Sequence, residues 1–164
     1  MKHLNMIVAV GNRLELGNNN QLLCHLPEDL KRFKTITSGC TVLMGDRTWE
    51  SLPKKPLPNR RNIVLTLDKS LVYPDCEMAY SIEEALALLG EQEEAFIIGG
   101  ATIYRIFIDK IDKLYITRIL SDFEADAFFP EVDFSKWDLV EDEFFPKDEK
   151  NIHDLRFQCY HLKK

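Results

Sequence analysis

Short apolar runs alternate with helical patterns along this chain. Runs rich in branched side chains predict buried strands at residues 6–10, 41–44, 62–66, 95–98 and 114–117, with a further short strand near 76–79. Apolar and polar residues alternate in the tail, at 137–144 and 155–162. That alternation predicts an antiparallel hairpin at a sheet edge, with residues 147–151 as its turn.

Helices are predicted in the gaps between these strands. Proline fixes φ near its helical value, so Pro27 predicts the start of a helix over residues 27–37. Ser81 and Glu84 form a capping-box pattern that begins another helix, and a third is predicted over 101–108. We therefore expect a single α/β domain over residues 1–164. A predominantly parallel sheet of about eight strands would end in the antiparallel hairpin, flanked by about four helices.

One carboxylate lies on an apolar helix face. Asp29 falls in the first turn of the predicted helix 27–37 and shares its apolar stripe with Leu30 and Phe33. A buried charge is costly unless something binds it, which favours a functional acid. The alternative is an acid that only interacts with the helix dipole.

Two strand–glycine–helix junctions follow neighbouring apolar runs. Gly45 precedes Asp46, Arg47 and Thr48, and the pair Gly99-Gly100 precedes another helix start. Helix starts attract phosphate, and Arg47 and Thr48 would add contacts to it. Two such junctions suit a dinucleotide pyrophosphate, although Asp46 puts a negative charge beside the proposed anion site. The alternative is a pair of unrelated tight turns.

Two further segments have both a functional and an ordinary interpretation. The proline-containing loop 52–59 is followed by Arg60 and Arg61, whose planar guanidinium groups suit a carboxylate. The alternative for this loop is a solvated basic surface. The polar stretch 12–21, with Gly11 and Gly17 at hinge-like places, predicts either a mobile lid or an ordinary surface loop.

Composition excludes several classes of protein. The chain has 164 residues, 45% of them hydrophobic, and a formal net charge of -6, which argues against a nucleic-acid-binding protein. Its apolar runs are shorter than the ~20 residues that span a bilayer, and its first residues lack a signal-peptide pattern. The four cysteines form no CxxC pair and the histidines have no metal-ligand spacing, so we expect a cytoplasmic protein with free thiols and no metal.

Several motifs occur together, in order, over nearly the whole chain. They are Ile7-Val8-Ala9-Val10, Leu26-Pro27-Glu28-Asp29-Leu30-Lys31-Arg32-Phe33-Lys34, Val42-Leu43-Met44-Gly45, Thr48-Trp49-Glu50-Ser51-Leu52, Pro56-Leu57-Pro58-Asn59-Arg60, Ile97-Ile98-Gly99-Gly100, Tyr115-Ile116-Thr117 and Glu124-Ala125-Asp126-Ala127-Phe128-Phe129-Pro130. With these motifs the chain resembles the dihydrofolate reductases of the bacterial chromosomal type.

The resemblance implies reduction of 7,8-dihydrofolate to tetrahydrofolate with NADPH as cofactor. Asp29 matches the acid that hydrogen-bonds the pteridine and favours protonation at N5, and Thr117 matches the threonine that supports it. Arg60 matches the arginine that binds the α-carboxylate of the glutamate tail. The apolar walls of the folate pocket match Ile7, Val8, Leu30, Phe33, Leu52, Leu57 and Ile98. The cofactor groove matches Ala9, Leu16, Gly45, Arg47, Thr48, Thr66, Gly99, Gly100, Ala101, Thr102 and Ile103.

The resemblance also implies partners and a moving part. We expect a monomer that binds dihydrofolate and antifolate inhibitors and interacts with neither nucleic acid nor a membrane. Residues 17–26 match a mobile loop that closes over the nicotinamide. Leu23-Cys24 stands where the family usually has Pro-Trp, so loop closure is expected to differ.

Other departures concern the cofactor and the choice of function. Asp46 and Leu67 replace residues that often contact cofactor phosphates, which weakens the expected preference for NADPH over NADH unless Arg47 or Lys69 compensates. Ala101 replaces a third glycine.

Two other functions stay open: a pyrimidine or flavin-precursor reductase of the same fold, which should lack Asp29 or Arg60, and a nonenzymatic nucleotide- or pterin-binding protein.

Overall fold

The apolar runs form the strands of a central sheet. The computed structural model describes residues 4–18, 21–22, 25–90 and 94–164. Its strands are β1 (Leu4–Val10), β2 (Glu15–Asn18), β3 (Gln21–Leu22), β4 (Thr41–Gly45), β5 (Arg61–Leu65), β6 (Glu77–Ala79), β7 (Ala95–Ile97), β8 (Lys113–Ile119), β9 (Ala127–Phe128), β10 (Trp137–Phe145) and β11 (Leu155–Leu162).

Four α-helices and one short 3-10 helix connect the strands of the described residues. They are α1 (Pro27–Thr37), α2 (Asp46–Ser51), α3 (Ile82–Leu89), α4 (Ala101–Phe107) and the 3-10 helix Phe134–Lys136. Pro27 occupies the start of α1, as predicted. The predicted capping box is also confirmed, because the Glu84 amide donates to the Ser81 hydroxyl at 3.0 Å.

The main sheet has eight strands in the order β10-β11-β8-β1-β7-β4-β5-β6. Strands β8, β1, β7, β4, β5 and β6 pair in parallel, whereas β11 runs antiparallel to both β8 and β10. The predicted α/β fold, with its mostly parallel sheet and C-terminal hairpin, is therefore confirmed. This order brings the carboxyl ends of β1, β4, β7 and β8 to one edge of the sheet.

The polar stretch at residues 12–21 differs from the loop that was predicted. It contains β2 and reaches into β3, and both belong to a small antiparallel sheet in the order β3-β2-β9. These strands have two to four residues, too few to show an alternating pattern. Residues 19–20, and with them Leu23-Cys24, lie outside the described residues.

Successive side chains of β1 point to opposite faces of the sheet and enter different apolar clusters. Met6 and Val8 belong to the larger cluster, and Ile7 belongs to the cluster that contains Trp49 and Phe96. No helix within the described ranges combines the length and apolar composition that a bilayer crossing requires. In the same ranges, no group of three or more His, Cys, Asp or Glu residues is arranged to hold a metal ion.

Candidate active site

The carboxylate of Asp29 is held at the carboxyl-terminal edge of the sheet. Thr117, a buried residue of β8, donates its hydroxyl to Asp29 Oδ1 at 2.6 Å. Asp29 belongs to the first turn of α1, 88 positions earlier in the chain, so packing of α1 on the sheet brings the pair together. Burial raises the pKa of Asp29, while the Thr117 hydrogen bond and the charge of Arg32 act in the opposite direction.

Arg32 and Tyr104 complete the polar surroundings of Asp29. The Arg32 guanidinium carbon lies 4.8 Å from the Phe157 ring centroid, and the Tyr104 hydroxyl donates to the Ile7 carbonyl at 2.8 Å. Burial and the nearby Asp29 charge raise the pKa of Tyr104, so its phenol stays neutral. The sequence interpretation missed both roles, because an arginine and a tyrosine in amphipathic helices have no distinguishing local pattern.

An apolar wall adjoins this carboxylate. Most of the predicted folate-wall residues meet in one cluster around Trp49 and Phe96, namely Ile7, Phe33, Leu52, Leu57 and Ile98. Val8 points to the opposite face of β1 and packs in the larger cluster. Leu30 is 44% exposed, so it contributes surface beside Asp29 and lies outside the buried cluster.

Arg60 is held at the other end of this wall. Its Nη1 donates to Thr37 Oγ1 at 3.0 Å and its Nε donates to the Pro58 carbonyl at 2.9 Å. The guanidinium carbon lies 5.8 Å from the Phe33 ring centroid. Thr37 is itself buried and donates to the Phe33 carbonyl at 2.8 Å, so its oxygen is fixed as an acceptor for Arg60.

The loop that carries Arg60 is shaped by Asn62. Its side chain accepts from the Leu57 amide at 2.9 Å and donates to the carbonyls of Leu57 and Arg60 at 3.0 and 2.9 Å. Asn62 is buried in β5. Neither Thr37 nor Asn62 was predicted from the sequence, since a polar residue that fixes a distant loop resembles any other polar residue.

The two glycine junctions lie side by side. The Gly45 amide donates to the Gly99 carbonyl at 2.9 Å, and a Cβ added to Gly45 would lie 3.0 Å from Ile103 Cγ1. Gly99 has φ +128, which L side chains rarely adopt. A Cβ built on Gly99 or Gly100 would lie 3.4 or 3.5 Å from Thr48 Oγ1. The junctions therefore form one closely packed backbone surface, mostly buried and bordered by a hydroxyl.

Comparison with known proteins assigns the family. The family model described as dihydrofolate reductase matches residues 3–162. The chain belongs to the dihydrofolate reductase family. It is 45% identical to the Bacillus subtilis dihydrofolate reductase over 93% of this chain and 89% of that protein. It is 40% identical to the Staphylococcus haemolyticus dihydrofolate reductase over 96% of this chain and 94% of that protein.

A solved structure has the same fold. Dihydrofolate reductase from Enterococcus faecalis, complexed with NADP(H) and RAB-propyl, superposes with a TM-score of 0.92 at 36% identity and covers 99% of this chain and 97% of that one. The activity of this dihydrofolate reductase family member is NADPH-dependent reduction of 7,8-dihydrofolate to 5,6,7,8-tetrahydrofolate.

The remaining predicted cofactor residues of this dihydrofolate reductase flank the glycine junctions or the nearby strands. Helices α2 and α4 begin directly after Gly45 and Gly100, and no side chain caps either of them. Arg47 and Thr102 are exposed, and Ala101 is half-buried. Leu16 packs on the larger cluster, whereas Ala9 packs on a third cluster with Leu26 and Phe157. The two helix starts, which no side chain caps, and the cationic Arg47 suit an anionic dinucleotide such as NADPH.

Asp46 and Thr66 pair with each other. The Thr66 hydroxyl donates to Asp46 Oδ2 at 2.7 Å, and Thr66 is buried directly after β5. Leu67, the other departure from the family pattern, is 81% exposed. The Asp46 charge is thus partly engaged within the protein, while Leu67 offers only an apolar surface.

Proposed function

We propose that the chain reduces 7,8-dihydrofolate at the carboxyl edge of its sheet, with Asp29 at the pteridine end and Arg60 at the glutamate end. The observation that carries this proposal is the half-buried Asp29 carboxylate, hydrogen-bonded by Thr117 at 2.6 Å. An apolar wall and a fixed guanidinium follow it in the order that a pteridine, a benzoyl ring and a carboxylate would require.

Asp29 acts on the protonation state of the substrate. One Asp29 oxygen is held by Thr117, and its carboxylate can accept hydrogen bonds from N–H groups of the pteridine. N5 of dihydrofolate is weakly basic, and an anion in a site of low dielectric stabilises its protonated, electrophilic form. Thr117 keeps Asp29 oriented, and Arg32 moderates the cost of its burial.

The rest of the pocket orients the substrate. Ile7, Phe33, Leu52, Leu57 and Ile98 supply the apolar surface that excludes water from the rings, with Leu30 beside them, whereas Val8 packs on the opposite face of β1. Arg60 would bind the α-carboxylate through Nη2, since Nε and Nη1 already donate to Pro58 and Thr37. This arrangement also suits antifolate inhibitors that carry a basic ring for Asp29.

NADPH supplies the hydride when it is bound. Gly45, Thr48, Gly99, Gly100 and Ile103 would hold the pyrophosphate region, with Ala101, Thr102 and Arg47 at the two helix starts. Ala9 and Leu16 would contact the nicotinamide region, and Thr66 the adenosine side. We further propose that residues 1–164 act as one domain, as a monomer in the cytoplasm, without nucleic-acid or membrane partners.

A cofactor assay tests this function. We expect NADPH absorbance to fall when dihydrofolate is added, with kcat/KM about tenfold higher for NADPH than for NADH, because one phosphate contact is worth roughly 1.4 kcal/mol. The preference depends on Arg47 and Lys69, since Asp46 is engaged by Thr66 and Leu67 is apolar. Absence of turnover with both cofactors would contradict the function, and equal rates would contradict recognition of the 2′-phosphate.

Replacing Thr37 with Val tests the role of Arg60. Valine keeps the shape of Thr37 but removes the oxygen that accepts from Arg60 Nη1. We expect KM for dihydrofolate to rise about fivefold with kcat nearly unchanged, because only binding of the tail is weakened. The control is Thr35→Val, an exposed threonine of the same helix. A folate analogue without the glutamate tail should bind Thr37→Val and the original protein equally well.

A further inference from the structure

The first turn of α1 is capped by a residue from a distant part of the chain. Leu26, at the N-cap position, has no side-chain oxygen to offer, and Pro27 has no backbone N–H. The Glu28 amide instead donates to Asn151 Oδ1 at 3.0 Å. Asn151 lies 123 positions later, between β10 and β11. A single side chain therefore joins the C-terminal hairpin to the turn that carries Asp29.

Asn151 is itself held rigidly. It is 4% exposed, and its Nδ2 and backbone amide donate to Asp148 Oδ1 at 3.0 and 2.7 Å. The Asp148 amide donates back to the Asn151 carbonyl at 2.8 Å. Since Nδ2 faces a carboxylate, the oxygen of the amide must face Glu28. The orientation that caps α1 is thus set by Asp148.

We propose that Asn151 is a positioning residue for Asp29, which holds the first turn of α1 so that the Asp29 carboxylate meets both Thr117 and the substrate. The proposal rests on the proposed role of Asp29. Glu28 and Asp29 are adjacent, so a shift of the Glu28 amide moves the carboxylate directly.

The groups that face Asp29 show why its position matters. Thr117 approaches from β8, Arg32 from the same helix and Tyr104 from α4. The Thr117 hydrogen bond is 2.6 Å long and leaves little tolerance for displacement. Without the cap, the Asp29 carboxylate would move relative to the substrate, and its anion would stabilise protonated N5 less. A cap that serves only folding would leave the pH profile of the reaction unchanged.

Replacing Asn151 with Ala tests the proposal. We expect the hydride-transfer rate in single turnovers at pH 7 to fall about tenfold, because small displacements of a catalytic group are costly. The alkaline limb of its pH profile should move to lower pH, while the Kd for NADPH stays within about twofold. Hydrogen exchange at the Glu28 amide should accelerate, a readout that does not depend on activity.

A second pair of variants separates the cap from loop stability. Asn151→Asp combined with Asp148→Asn keeps an oxygen acceptor for Glu28 and the same charge in the loop, and should return the rate to within about threefold of the original. The matched control is Asp133→Ala, which removes a cap of the exposed 3-10 helix, where the Ser135 amide donates to Asp133 Oδ1 at 3.1 Å. It should leave the profile unchanged.

Several results would overturn the proposal. The proposal is wrong if Asn151→Ala has the same hydride-transfer rate and pH profile as the original protein. It is also wrong if Asp133→Ala loses the same rate, or if the double variant does not regain the rate that Asn151→Ala loses. If Asn151→Ala does not fold, Asp148→Ala must show the same shift at smaller size, and an unshifted profile there contradicts the proposal. Absence of turnover in the original protein would instead contradict the proposed function. The cap could still be tested in that case, because hydrogen exchange at the Glu28 amide does not depend on activity.

Discussion

Replacing Asp29 with Asn is expected to lower kcat/KM for dihydrofolate by about a hundredfold or more at pH 7, because the anion that stabilises protonated N5 is lost. Asparagine can still accept the Thr117 hydroxyl, so the pocket should keep its shape. The loss therefore measures charge and not packing. Initial rates of NADPH oxidation at saturating cofactor provide the measurement.

The same variant should regain part of its activity in acid. Without the carboxylate, protonation of N5 depends on the solvent, so the rate should rise as the pH is lowered. The matched control is Glu28→Gln, which removes the neighbouring first-turn carboxylate and the same favourable interaction with the helix dipole. We expect Glu28→Gln to keep its activity within about twofold. A rate for Asp29→Asn that equals the original and does not vary with pH would exclude Asp29 from the mechanism.

Asp29→Asn should also stabilise the folded protein at neutral pH. Burial raises the folded-state pKa of Asp29 above the ordinary value of 3.8, so ionisation favours the unfolded chain. Its contribution to stability is full below 3.8 and is lost as the pH rises through the folded-state pKa. We expect Tm at pH 7 to rise by about 2–4 °C in the variant, with a smaller difference near pH 3.

Replacing Glu15 with Ala is expected to lower the free energy of unfolding by about 2–4 kcal/mol, the largest stability effect we predict. The Glu15 side chain has no exposed surface, and it accepts from the backbone amides of Arg13 and Phe123, the latter at 2.7 Å. A Cβ on Gly11 would lie 2.8 Å from Phe123 and 2.9 Å from Glu15, so Gly11 lets these groups pack closely. Alanine would leave these partly buried amides without the Glu15 carboxylate as an acceptor.

The pH dependence of this effect has a defined sign. Burial alone would raise the pKa of Glu15, but backbone N–H groups of Phe123, Glu15 and Arg13 and the Arg13 charge lower it below 4.5. The stability that Glu15 contributes is therefore present above pH 4.5 and is lost as the pH falls through its folded-state pKa. Urea unfolding at several pH values measures it.

A neighbouring carboxylate supplies the control for Glu15. Glu124 lies next to Phe123 but is exposed, and Glu124→Ala should change the free energy of unfolding by less than about 0.5 kcal/mol. The difference in the free energy of unfolding between the two alanine variants should narrow as the pH falls below 4.5. If Glu15→Ala unfolds at the same urea concentration as Glu124→Ala at pH 7, the hydrogen bonds of Glu15 to the amides of Arg13 and Phe123 do not stabilise the fold.

The local patterns predicted the elements well where a pattern was long enough. Pro27 located the start of α1, and the capping box at Ser81 located α3. The prediction of an ordinary surface loop at 12–21 was wrong, because β2 and β3 form by pairing with each other and with β9. The alternative of a mobile lid stays a prediction. A two-residue strand has no periodicity to detect.

The site was predicted only in part, for a related reason. The sequence shows Asp29 on an apolar helix face and Arg60 after a proline-containing loop, and their roles stay predictions. The residues that hold them could not be found, because Thr37, Asn62 and Asn151 act through hydrogen bonds to distant loops or helices. Such bonds depend on which chain segments pack together, and the local sequence does not encode that.

The sequence by itself determined the order of the main-sheet strands and of the helices, the acidic first turn of α1 and the glycine junctions at Gly45 and Gly99. Hydrophobic periodicity and backbone preference act locally, so they can be recognised in a single chain. The tertiary structure alone decided the environment of Asp29. Its neighbour Thr117 and the cap from Asn151 come from elements 88 and 123 positions from their partners, and only packing around a shared core brings them within hydrogen-bonding distance.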